Sequence, residues 1–148
     1  MKIYWYRNSK NLIGHRLHDL RISQHLTQRQ LAARMQLAGM EMNEVTILRI
    51  EKGVRFVPDY EVAELAKALG DEETYRTFND RGYWWRNVIS DEGYCHMRDS
   101  KGQWLENFDP FRSGANQHYV EGNAWQLTFF VPQDVPALVE KIGKQRFT

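Results

Sequence analysis

Cysteine is almost missing from this chain. Cys95 stands alone, so no internal disulfide can form and no zinc site can be assembled from several thiolates. That scarcity sets a reducing, cytoplasmic compartment as the expectation. Long hydrophobic runs are missing too. No stretch approaches the roughly 18–20 apolar residues that cross a bilayer, so no membrane partner is expected. The start, Met1-Lys2-Ile3-Tyr4-Trp5-Tyr6-Arg7, holds no apolar run long enough for a secretion signal. What is present is a hydrophobic content of 42% in 148 residues, enough for a core and too much for wholesale disorder. The length suits one domain or two very small ones.

Net charge is also nearly absent, at +1, but it is unevenly spread. Residues 1–70 hold 11 Lys/Arg against 7 Asp/Glu, a charge of +4; residues 71–148 hold 9 against 12, a charge of −3. Of the 19 aromatic residues, 5 precede residue 71 and 14 follow. A basic, aromatic-poor half and an acidic, aromatic-rich half predict two modules, 1–70 and 71–148.

The first twelve residues have no clear period and read as an arm or short strand. Ile13, Leu17 and Leu20 then recur at helical spacing. Thr27 with Gln30 three residues on spells a capping box, and Leu31, Ala32 and Met35 give the next helix its inner face. Asn43 can cap a third helix with Ile47 and Ile50 inward and Gly53 as its stop. Pro58-Asp59 opens a fourth, with Val62, Leu65, Ala66 and Leu69 on one stripe before Gly70. The expected fold class is therefore mainly α: a compact four-helix helix-turn-helix domain, then a helical segment with a long irregular loop. In that second part, 72–88 reads as one helix, 94–98 and 103–105 as a short β-hairpin, 107–118 as the loop, 123–131 as helical, and Pro136 as the first turn of a last helix. His15 and His18 could share a metal by spacing, but no third ligand lies nearby, so they read as surface residues.

Residues 12–70 resemble the Cro- and lambda-repressor-like helix-turn-helix family. The resemblance rests on Leu26-Thr27-Gln28 with Leu31-Ala32, on Ile47, Ile50-Glu51-Lys52-Gly53 and Arg55, and on Leu65-Ala66-Lys67-Ala68-Leu69-Gly70. It implies a recognition helix in the DNA major groove. Helical spacing turns Glu44, Val45, Leu48 and Arg49 outward. Arg49 could pair with guanine, Glu44 accept from cytosine and Val45 touch a thymine methyl. Gln28 and Asn43, at helix starts, are candidate contacts, and Lys52 and Arg55 would meet phosphates. The resemblance also implies a buried ion pair between Arg21 and Glu51.

Residues 81–143 resemble a stretch of the family 92 glycoside hydrolases, calcium-dependent exo-acting α-mannosidases. The matching pieces are Arg81, Trp85-Arg86-Asn87-Val88, Asp91-Glu92-Gly93-Tyr94, Met97-Arg98-Asp99, Gly102-Gln103-Trp104, Phe108-Asp109-Pro110, Glu121-Gly122-Asn123-Ala124-Trp125-Gln126 and Phe130-Val131-Pro132-Gln133-Asp134-Val135. Gln133 departs from the histidine usual in the last motif. The resemblance implies Glu121 as a general acid, Trp104 and Trp125 as sugar-stacking rings, and Asn123 and Gln126 as partners of hydroxyls. An inverting pair of carboxylates stands roughly 6.5–9.5 Å apart. The family's base lies far downstream of the matching stretch, so turnover is not expected here, and calcium is a cofactor only if this reading holds. The alternative for Trp84, Trp85, Trp125, Phe129 and Phe130 is a packed core.

From sequence the leading expectation is double-stranded DNA binding with repressor-like regulation, as a homodimer. Two alternatives stay open. One is a carbohydrate-active fragment; the other is a protein-interaction module, for which outward Leu48, Val45 and Glu44 argue.

Overall fold

The computed structural model describes residues 5–113, 119 and 121–147; the expectations for residues 1–4 of the arm and 114–118 of the loop lie outside them. The protein is mainly helical and divides into two compact units, Met1–Gly82 and Tyr83–Thr148. No helix among the described residues is long and apolar enough to cross a membrane.

The first unit contains α1 (Gly14–Ser23), α2 (Gln28–Leu37), α3 (Glu44–Glu51), α4 (Asp59–Ala68) and α5 (Glu72–Gly82). Local chemistry sets the boundaries. The Thr27 side chain accepts from the Gln30 backbone N–H while the Gln30 side chain accepts from Thr27, which completes the capping box of α2. The Asn43 carboxamide accepts from Thr46 N–H and starts α3. Gly53, at φ +68°, closes α3 in the left-handed region. Leu17, Leu31, Met35, Met42, Ile47, Ile50, Val62 and Leu65 form one buried cluster. Gly14 is required by proximity: a Cβ there would lie 2.6 Å from the Ile50 carbonyl oxygen and 2.7 Å from that of Glu51. The start of α1 can rest on the end of α3 only without a side chain at that point.

The second unit opens with a 3-10 turn, Trp84–Asn87, and continues through isolated antiparallel bridges pairing Ile89 with Cys95 and Arg98 with Trp104. The expected hairpin is thus reduced to a tip. Its turn is held by Asp99, whose carboxylate accepts from Lys101 and Gln103 N–H at 2.8 Å each. Then come α6 (Ala124–Thr128), α7 (Val135–Ile142) and α8 (Lys144–Phe147). Ile89, Val131, Leu138 and Ile142 form the core, with Trp85 and Cys95 against it.

Two elements are shorter than the sequence predicts. The helix expected over 72–88 ends at Gly82, whose missing side chain weakens the helix, and the chain tightens into the 3-10 turn. The helix expected over 123–131 ends at Thr128. There the hydroxyl donates back to the Ala124 carbonyl at 2.7 Å and accepts the Cys95 N–H at 2.7 Å, and Pro132 follows.

Candidate functional site

In the first unit, the residues expected to read DNA divide into two groups. Glu44, Val45 and Arg49 are exposed on α3, Lys52 caps its end, and Leu48 is half-buried. Asn43 is committed as the cap. Gln28 does not face outward: its amide donates to Glu51 Oε2 at 2.7 Å. Arg55 is also engaged, its two terminal nitrogens donating to Glu61 at 2.5 and 2.8 Å.

Arg21 and Glu51 do form the buried pair, bidentate at 2.6 and 2.9 Å, with about a twentieth of either side chain exposed. Arg21 also donates to the Leu26 carbonyl at 2.7 Å. The Glu51 bond raises the Arg21 pKa, against the opposing effect of burial. Burial pushes Glu51 up, but the bonds from Arg21 and Gln28 outweigh it and leave its carboxyl below the usual range. With both charged side chains buried and paired, the constellation is a structural clamp.

The second unit gathers its rings into a ladder. His96 stacks on Phe108 with centroids 4.4 Å apart and on Trp104 at 5.2 Å; Phe108 stacks on Tyr94 at 6.1 Å. Tyr94 lies 5.5 Å from Trp125, and Trp125 lies 6.1 Å from Phe111. Trp104 is further engaged by the Arg98 guanidinium, 3.4 Å from its ring centre. Burial and the bond to Glu92 push the Tyr94 phenol up to about 12. Burial also pushes Tyr119 up to about 12 and raises the Cys95 thiol. The Tyr119 hydroxyl donates to the Cys95 carbonyl at 2.9 Å.

Glu121 is exposed, two residues before the cap of α6. Asn123 and Gln126 form a reciprocal capping box, each carbonyl oxygen accepting the other's backbone N–H at 3.0 Å. The Asn123 amide nitrogen also donates to the Phe111 carbonyl at 3.5 Å. The indole N–H groups of Trp85 and Trp125 are buried without an acceptor among the described residues. Among the described residues no three His, Cys, Asp or Glu side chains group to hold a metal ion.

The packed-core alternative holds only in part. Trp85 packs on the core, whereas Trp84 and Phe130 are 59% and 79% exposed. The residues that the sequence reading passed over are His96, which forms the centre of the ladder, and Phe111, which is 68% exposed at its edge. The only signal for either was aromatic density after residue 70.

The family model for the glycosyl hydrolase family 92 catalytic domain matches residues 55–148. Among solved structures, a family GH92 α-mannosidase from Bacteroides thetaiotaomicron is 38% identical, covering 60% of this chain and 12% of its own, with a TM-score of 0.56. A structure of that mannosidase in complex with mannoimidazole aligns at 32% identity, covering 60% of this chain and 13% of its own, with a TM-score of 0.51. The chain therefore spans about an eighth of the length of those proteins. Comparison with curated proteins finds no relative.

These matches overturn the expected double-stranded DNA partner, the homodimer that accompanied it, and repressor-like regulation. The matched family consists of glycosyl hydrolases, and its span takes in 55–70, which the helix-turn-helix resemblance had claimed. Nothing found relates the chain to the Cro- and lambda-repressor-like family, and Gln28 and Arg55 are spent on Glu51 and Glu61.

Proposed function

Because the chain belongs to glycosyl hydrolase family 92, we propose that its second unit recognises α-linked mannosides and carries the proton-donating side of a glycoside-cleaving site. The observation that carries this reading is the match itself, with 38% identity to an α-mannosidase across 60% of the chain. Glu121 is the general acid. It is exposed, so its carboxyl can reach a leaving oxygen, and the Asn123–Gln126 capping box holds the backbone just after it. Trp125 lies beside the sugar, and the amide nitrogens of Asn123 and Gln126 supply donors for hydroxyls. Trp104, engaged by Arg98 and His96, supports the ladder.

General acid assistance contributes about 10²–10⁴ in rate. The base of an inverting pair is not assigned to any residue here, so the test is recognition rather than turnover. The full chain is titrated calorimetrically with methyl α-D-mannopyranoside and, separately, with methyl β-D-galactopyranoside. Selective heat with the mannoside is the expected result, and Glu121→Gln should retain it, because proton donation is needed for cleavage and not for binding. Equal or absent heat with both sugars would contradict the proposal.

A further inference from the structure

Phe111 has the geometry of a recognition ring. It is 68% exposed, yet its backbone is pinned from both sides. Its N–H donates to Asp109 Oδ1 at 3.0 Å, and Arg112 N–H donates to the Asp109 carbonyl at 3.3 Å. The neighbouring Pro110 carbonyl accepts from Ala124 N–H at 3.1 Å, and the Phe111 carbonyl lies 3.5 Å from the Asn123 amide nitrogen. These bonds tie the 109–112 turn to the first residues of α6, immediately after Glu121 and Gly122.

An exposed phenyl on a mobile loop would lose conformational entropy on binding. One on a turn fixed by this many bonds has already lost the backbone share of it. Beside it, with ring centroids 6.1 Å apart, stands Trp125.

We infer that Phe111 is the ring on which a pyranoside stacks, with its hydroxyls facing Glu121 and the donors at the start of α6. The axial C–H bonds of a pyranose make one apolar face, and its hydroxyls make a polar rim. A fixed phenyl beside amide donors and a carboxyl matches both. This assignment rests on the α-mannoside reading of the second unit and adds a residue to it. It also gives Phe111 the stacking role that the family resemblance implied for Trp104, a ring already engaged by the Arg98 guanidinium.

The test uses the full chain and methyl α-D-mannopyranoside, with four proteins compared in the same titration. Wild type should bind. Phe111→Ala should weaken binding about tenfold or more with an unchanged thermal melt, since the side chain is largely outside any core. Phe111→Tyr should restore it, because the ring returns. Phe130→Ala, which removes a ring 79% exposed elsewhere in the same unit, should leave binding as in wild type. Wild-type binding that survives Phe111→Ala, or that falls equally with Phe130→Ala, overturns the assignment of Phe111 and leaves α-mannoside recognition standing. If wild type does not bind at all, the recognition reading falls, and this inference with it.

Discussion

The two units of the chain use their apolar residues in opposite ways. In the first, apolar side chains from Leu17 to Leu69 close into one core, and helix ends are satisfied by caps placed where sequence rules put them. In the second, four buried aliphatic residues form the core, while a ladder of rings reaches the surface at Phe111. A core made only to be stable is periodic and buried. A ring system that leaves an edge exposed, as at Phe111, suits the recognition proposed for the second unit. The unit richer in aromatics thus has the smaller buried core.

The contrast can be broken most sharply at Arg21 and Glu51. Removing either partner strands a buried charge, so Arg21→Ala or Glu51→Ala should cost about 3–5 kcal/mol. The loss should appear in helical ellipticity, with tryptophan emission spared, since four of the five tryptophans lie in the second unit. The same pair sets the acid limit. A carboxyl held below its unfolded value of about 4.3 contributes stability that is complete above that pH and is lost as pH falls through the folded value. A Glu51→Gln melt that tracked wild type through that acid window would contradict the clamp.

Leu138→Ala makes the reciprocal cut. Leu138 is 1% exposed in a core of four, and the cavity should cost about 2–5 kcal/mol, read in tryptophan emission. If ellipticity and emission fell together in either variant, the two units would be one cooperative body. An alkaline limit lies in the second unit. Tyr94 and Tyr119 hold their protons to about 12, so the stability they lend is complete below pH 10 and is lost as pH rises through about 12. Phenolate absorbance followed with pH should show Tyr94 and Tyr119 titrating late. The smallest expected effect is at the α2 cap, where Thr27→Ala should cost about 1 kcal/mol by denaturant titration.

Legibility followed the same divide. Thr27, Asn43 and Gly53 announced the helix ends of the first unit because capping chemistry is local, and Ile47 and Ile50 announced its core because helical period is local. What those signals did not carry was purpose. Gln28 and Arg55 looked like DNA contacts, but Glu51, 23 residues on, and Glu61, 6 residues on, occupy them. In the second unit, Glu121 and the Asn123–Gln126 box could be picked out as a motif. His96 and Phe111 could not: their roles depend on rings brought together across the loop, and no period in the sequence encodes that. The helix expected over 72–88 failed for a similar reason, since a single glycine, Gly82, outweighed a continuous aromatic pattern.

The most direct test of the division of labour is a residue-by-residue amide and indole NMR map of the full chain during titration with methyl α-D-mannopyranoside. The account predicts shifts at Phe111, at residues 121–126 and at the Trp125 indole N–H, with α1 to α4 unchanged. Shifts confined to the first unit, or none at any sugar concentration reached, would contradict it.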